Sequence, residues 1–197
     1  MCIRDRFNIQ LIDYGSYIIS ARLHCLSKLY PIFKNIYQDI TSGKEKIFFK
    51  YFSSIPLQDT FEFLSIKNYF AKAIEEKKKE EYFQKKSLVG PHRDDVVFYV
   101  NDLEAKRYCS RGQQRSIVLA LKIAIMNVFK EESGEYPLLL LDDLMLELDQ
   151  SRQQSVAKLL NLPEQSFITT TVLPAEFLLP YTAIKMHDGQ LFVVRGD

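Results

Sequence analysis

The stretch from Pro137 to Asp149, PLLLLDDLMLELD, constrains the fold more than any other part of the chain. Its apolar run, Leu138 to Leu141, ends in two adjacent carboxylates, Asp142 and Asp143. A run this short, introduced by proline, reads as a strand buried on both faces of a sheet. In open α/β sheets ligands bind beyond the carboxyl ends of the strands, where these acids would emerge. Successive strand side chains point to opposite sides, so the two acids would not share one task. One suits a hard cation such as Mg²⁺, and the other a water to be polarised. The same residues also fit a strand that ends in a solvated acidic turn, and spacing alone leaves both readings open.

Size and charge narrow the class. A chain of 197 residues holds one domain, or one domain and a small second lobe. The formal net charge is +1, so any nucleic-acid surface must be a local patch. Cys2, Cys25 and Cys109 are odd in number and widely spaced. They form neither a disulfide framework nor a zinc spacing, and a reducing cytosol is the expectation. No apolar segment approaches the roughly 18 residues that cross a membrane, and the N-terminus lacks a signal-peptide core. Residues 1–6 lead into no periodic pattern and are set apart as a candidate extension foreign to the natural gene.

From Phe7 to Leu29 apolar residues recur at helical spacing, among them Leu11, Ile19 and Leu23, with Gly15 a weak point. Pro31 is expected to break or kink this helix. The pattern resumes from Ile32 to Ile40 and ends at Ser42-Gly43. Lys46 to Phe52 reads as a strand, and Phe61 to Gln84 as a second helix. The later part of that helix, EEKKKEEYFQKK, reads as a solvated face with i,i+4 pairing, a phosphate-contacting surface being the alternative. The character changes between Gln84 and Leu88, which places a boundary there: a helical arm lobe over 1–86 and a second lobe over 87–197. Asp95 to Val100 and Leu103 to Cys109 are expected to pair as a hairpin turned at Asn101-Asp102. Gln113 to Lys130 is apolar almost all round, which predicts a buried helix. A helix is expected from Asp149 to Leu160, a strand in SFITTT from Ser166, and a terminal hairpin over Thr182 to Val194 turned at Asp188-Gly189.

Three further stretches bear on chemistry. Ser110-Arg111-Gly112-Gln113-Gln114-Arg115 opens the apolar helix. A helix start offers free N–H groups and a positive dipole end, which suits an anion. Ser110 is a good N-cap whose hydroxyl can also donate to a phosphate oxygen, and Gly112 permits close approach. A capped helix with a solvated first turn fits equally well. The helix covers about 27 Å and the strand after it returns about 20 Å, a path that would bring Ser110 and Asp142 to one face. Gly90-Pro91-His92-Arg93-Asp94-Asp95 is either a charged turn or a histidine-based switch, and one His beside Asp is no metal ligand set. Thr169-Thr170-Thr171 is either β-branched filler or a γ-phosphate sensor at a strand end. The phosphate-cradling pattern G-x-x-x-x-G-K-[ST] does not occur in the 197 residues. The only Gly-Lys pair, Gly43-Lys44, is followed by Glu45.

Taken in order, GPHRDD, SRGQQR, LLLLDDLMLELD and FITTT, the chain resembles the C-terminal part of the RecF family, bacterial recombination-repair ATPases related to the SMC and ABC ATPases. The resemblance covers nearly everything from Leu88 to Val194, and GSYIISAR, from Gly15 to Arg22, is similar to the arm of that family. It implies an α/β fold, the C-terminal half of an ABC/SMC-type ATPase head with a parallel-rich sheet and helices, plus the N-terminal helical arm. Ser110, Gly112 and Gln113 then fall on the ABC signature, which contacts the γ-phosphate bound by the opposite subunit. Asp142 falls on the Walker B position that holds Mg²⁺ through water, and Asp143 where relatives position the attacking water. Asp149 matches the D-loop aspartate at the dimer interface, and Thr170 or Thr171 the switch position. Two residues depart from the family pattern: Leu146 stands where Ser is usual, and Arg111 where Gln is common. The Walker A and Q-loop motifs are absent from these residues, so the chain is expected to be part of a protein close to twice its length.

The implied function is ATP-dependent dimerisation and DNA binding at single-strand/duplex junctions in gap repair, with RecO and RecR helping to load RecA and so feeding the SOS response. ATP and Mg²⁺ are the implied cofactors, the bacterial cytoplasm the implied location, and no membrane is involved. The chain alone is expected to hydrolyse no ATP, because nothing in it cradles the α- and β-phosphates. Two other readings stand beside this one: another SMC/ABC-class chromosome ATPase, which should show sustained heptads, and a non-enzymatic DNA-binding scaffold of the same fold.

Overall fold

The computed structural model describes residues 3–58, 61–142, 148–160, 162–171 and 181–196. They belong to two compact units: Met1–Lys34 with Lys46–Cys109, and Asn35–Glu45 with Ser110–Asp197.

Helix α1 (Ile3–Ile40) runs unbroken through Pro31. The expected break does not occur. A proline inside a helix costs about 3 kcal/mol or more, but it is flanked here by Leu29, Phe33, Ile36, Tyr37 and Ile40, all buried. Each apolar side chain fully buried contributes roughly 1.5–3 kcal/mol, so together they outweigh one lost hydrogen bond. Strand β1 (Ile47–Phe52) and helix α2 (Phe63–Gln84) follow where the apolar pattern puts them. Ile19, Ile66 and Phe70 are fully buried within one apolar cluster of the first unit.

Strand β2 (Asp95–Val100) pairs antiparallel with β1, Ile47 opposite Val100 and Phe52 opposite Asp95. Phe48 and Tyr99 stack across the pair with ring centroids 4.9 Å apart. Asn101 and Asp102 take φ of 48° and 67°, the left-handed pair that a two-residue hairpin turn demands and that Asn and Asp tolerate. The returning strand β3 (Leu103–Glu104) is only two residues long and passes into a helical turn, α3 (Ala105–Tyr108). The expected strand to Cys109 is therefore cut short.

The GPHRDD stretch is bound into this unit as a turn. Asp94 Oδ1 accepts from the Ser54 backbone N–H at 2.7 Å and from Ser54 Oγ at 2.9 Å, and Oδ2 accepts from the Tyr51 hydroxyl. Arg93 donates through Nε and Nη2 to the Ser87 carbonyl at 2.9 and 2.7 Å, and Arg22 Nη1 donates to the Pro91 carbonyl at 2.6 Å. Burial, and then the bond to Asp94, push the Tyr51 phenol well above its ordinary pKa.

In the second unit, α4 (Arg111–Ser133) ends at Gly134, whose φ of 85° is a left-handed cap that favours glycine. Strand β4 (Leu139–Asp142) pairs in parallel with β5 (Ser166–Thr169), the two joined through helix α5 (Gln150–Leu159). Strands β6 (Tyr181–His187) and β7 (Gln190–Gly196) form the terminal hairpin, turned at Asp188-Gly189.

Two burial expectations fail here. Along β4, Leu139 and Leu141 are buried, but Leu140 is 61% exposed, so the strand is covered on one face rather than two. On α4, Ile117, Leu119, Ile123 and Met126 are buried, whereas Val118, Ile125 and Phe129 form an exposed stripe. Four leucines in a row, and a helix apolar all round, hide in the sequence which side is covered.

Candidate functional site

The start of α4 is built by a reciprocal cap. The Gln113 backbone N–H donates to Ser110 Oγ at 3.3 Å, and the Ser110 backbone N–H donates to Gln113 Oε1 at 2.9 Å. This capping box satisfies two of the helix's orphan donors. Ser110 is exposed, and a hydroxyl that accepts from Gln113 still has its own O–H to donate. The remaining first-turn N–H groups sit at the positive end of the helix dipole. Ser110 is thus presented to an anion, while Gln113 is occupied on both sides of its amide, since its Nε2 donates to Glu45 Oε1 at 3.2 Å.

Glu45 leads to a cluster that sequence reasoning missed. Its Oε2 accepts from the Tyr37 hydroxyl at 2.5 Å, and its Oε1 accepts from Arg152 Nη2 at 2.6 Å. Arg152 Nη1 donates to Ser116 Oγ at 2.8 Å, and Ser116 donates in turn to the Gly112 carbonyl at 2.9 Å. Arg152 Nε lies 3.0 Å from Asp149 Oδ2. Asp149 is the N-cap of α5, its Oδ1 accepting the Arg152 backbone N–H at 3.0 Å. The structure therefore brings Gly112, Gln113 and Asp149 into one polar network, through three residues named in no motif, Glu45, Arg152 and Ser116. The i,i+3 spacing of Asp149 and Arg152 was a usable signal. Glu45 carries none, being 107 residues from its partner.

Asp142 ends β4 on the same side as exposed Leu140. Thr169, opposite it in register on β5, donates its hydroxyl to Asp142 Oδ1 at 2.5 Å. The threonine that orients the acid is thus Thr169, one residue before the pair expected at the switch. Thr170 and Thr171 follow directly after β5, half-buried and exposed in turn. Asp143 lies outside the described residues. Among the described residues there is no group of three or more His, Cys, Asp or Glu side chains able to enclose a metal. An exposed carboxylate at a strand end, fixed by one hydroxyl, does fit Mg²⁺, which keeps several waters and takes one or two protein carboxylates.

No protein-family model matches the chain. Individual proteins do. The DNA replication and repair protein RecF of Clostridium perfringens (strain SM101 / Type A) is 43% identical over 152 residues, 77% of this chain and 41% of the relative. RecF of Streptococcus suis (strain 05ZYH33) is 41% identical over 178 residues, 90% of this chain and 48% of the relative. The chain thus spans less than half the length of either. Among solved structures, the recombination mediator protein RecF-ATPrS of the RecFOR pathway superposes with a TM-score of 0.76 at 30% identity, over 96% of this chain and 51% of that one. An SMC ATPase structure superposes with a TM-score of 0.54 at 14% identity, over 90% of this chain and 88% of that one, a likeness of fold alone. No helix among the described residues is long and apolar enough to cross a membrane. The fold is the α/β type of RecF and SMC ATPase heads, and the chain matches the C-terminal portion of RecF proteins.

Proposed function

We propose that this chain supplies the signature and acidic-strand side of an ATP-dependent, dimerising DNA-repair protein. Ser110 and Gly112, with Gln113 behind them, meet the γ-phosphate of ATP held by a second subunit. Asp142 holds Mg²⁺ through water, and Asp143 positions the attacking water. Asp149 lies at the subunit junction, and Thr170 or Thr171 senses the phosphate. When bound, Mg²⁺ supplies charge neutralisation on the phosphate oxygens. The motif-bearing part lies within residues 87–197, and residues 1–86 form the arm.

The observation that carries this reading is the start of α4, where an exposed Ser110 caps a 23-residue helix with its O–H left to donate. The 197 residues contain no phosphate-cradling loop, so in this reading the nucleotide reaches Ser110 on the partner subunit. The whole protein binds DNA at single-strand/duplex junctions in the bacterial cytoplasm and works with RecO and RecR to load RecA and feed the SOS response.

Sedimentation velocity of the labelled chain with full-length Clostridium perfringens RecF, Mg²⁺ and ATP tests the reading. An ATP-dependent complex is expected, and Ser110→Arg should abolish it while circular dichroism still reports folded protein. Pairing that survives Ser110→Arg, or no ATP-dependent pairing by the unmodified chain, sinks the proposal. ATP turnover by the chain alone should stay at background, and robust Mg²⁺-dependent turnover would refute the assignment of a trans role only.

A further inference from the structure

A single guanidinium touches both motif-bearing helix starts. Arg152 reaches Asp149 at the start of α5, and it reaches α4 directly at Ser116 in the second turn and at the Gly112 carbonyl in the first, and through Glu45 to Gln113. The side chains of Arg152 and Glu45 are only 15% and 12% exposed. Burying such a pair yields little net stability, because lost hydration offsets the attraction. Its consequence is geometric. Guanidinium donors sit in a rigid planar fork, so the partners held by one fork cannot shift independently. A lysine could satisfy one of them and would leave the others free to move.

We propose that Arg152, with Glu45, is a positioning residue that locks the signature start at Ser110 to Asp149, so that phosphate taken up at Ser110 is registered at Asp149. This rests on the function proposed above, in which Ser110 faces nucleotide on a second subunit. Neither Arg152 nor Glu45 touches nucleotide in this scheme. Both act through the residues they hold.

The pairing assay with full-length Clostridium perfringens RecF, Mg²⁺ and ATP tests it, affinity being expressed per folded molecule from circular dichroism in the same buffer. Arg152→Lys keeps the charge and removes the fork, and should weaken pairing about tenfold, within the usual range of a coupling between sites. Glu45→Gln keeps the size of the acid and one acceptor oxygen, loses its charge and the acceptor of the Tyr37 hydroxyl, and should weaken pairing in the same direction. It also keeps the test open should Arg152→Lys fold poorly. A second readout is one that a purely structural role would not move. In ¹H–¹⁵N spectra, Ser110→Ala should shift the backbone amides of residues 149–152, and should not do so in an Arg152→Lys background. Folded variants that pair as tightly as the unmodified chain overturn the positioning role and leave the proposed function standing. Absence of ATP-dependent pairing by the unmodified chain overturns both.

Discussion

Arg152 Nη2 lies 2.6 Å from Glu45 Oε1, an ion pair closed over 107 residues of chain and largely withdrawn from solvent. Removing one partner strands the other. Glu45→Ala should therefore destabilise the chain by about 3 kcal/mol, the low end of the range for a broken buried pair, because Asp149 still faces the guanidinium. Replacing both together, as Glu45→Leu with Arg152→Met, should cost far less than the sum of the single changes. Urea unfolding of the two singles and the double decides it, and additive losses would show that the pair is not coupled.

Gly15→Ala should destabilise the first unit even though alanine is the better helix former. The substitution gains about 1 kcal/mol of helix propensity. An added Cβ, however, would stand 2.3 Å from Phe70 Cε1, and Phe70 is fully buried. Overpacking of this kind costs about 1–3 kcal/mol, so the net change should be a loss. Thermal melting checks the sign, and Phe70→Leu should relieve part of the defect.

Asp94→Ala should cost about 2–3 kcal/mol, because it leaves the Ser54 N–H and the Tyr51 hydroxyl without their acceptor, while the Ser54 hydroxyl keeps the Gly90 carbonyl at 3.1 Å. Asp94→Asn retains one carbonyl oxygen and should cost less. Chemical denaturation ranks the two, and equal losses would argue that the single oxygen retained by asparagine contributes nothing.

Alkaline stability should depend on Tyr51. Its phenol is held above the ordinary tyrosine value, chiefly by burial and then by the bond to Asp94. A pKa raised in the folded state means stability fully present below the unfolded value of about 10 and lost as pH rises towards the folded one. Tyrosinate absorbance should therefore show the Tyr51 phenol resisting ionisation until the chain unfolds. In Tyr51→Phe that resistant phenol should disappear, and the fall in stability above pH 10 should be shallower.

Period and punctuation made the elements readable in advance. The Asn101-Asp102 and Asp188-Gly189 turns are local chemistry, and both appear where the residues place them. Ser110 likewise announces the start of α4. Pro31 misled because tertiary burial on both sides of it overrides a local breaker. Leu138 to Leu141 misled because a run of identical residues has no period from which to read a covered face. In the site, Ser110, Gly112, Gln113, Asp142 and Asp149 could be picked out through short patterns. Glu45 could not, since its meaning comes from Arg152, and only folding brings the two together. Thr169 was visible within a threonine run, but register with Asp142 is what selects it from its neighbours.

Leu140 and Phe167 stand directly opposite each other in the parallel pair, 61% and 52% exposed. Parallel sheets are ordinarily covered on both faces, so this pair is an apolar surface open to contact between copies of the chain. With a formal net charge of +1, electrostatic repulsion between copies is slight. Sulfate or phosphate buffers strengthen apolar attraction and should drive self-association here, where mild urea should reverse it. Any segment or molecule that settles over Leu140 and Phe167 would act as the solubiliser of this chain.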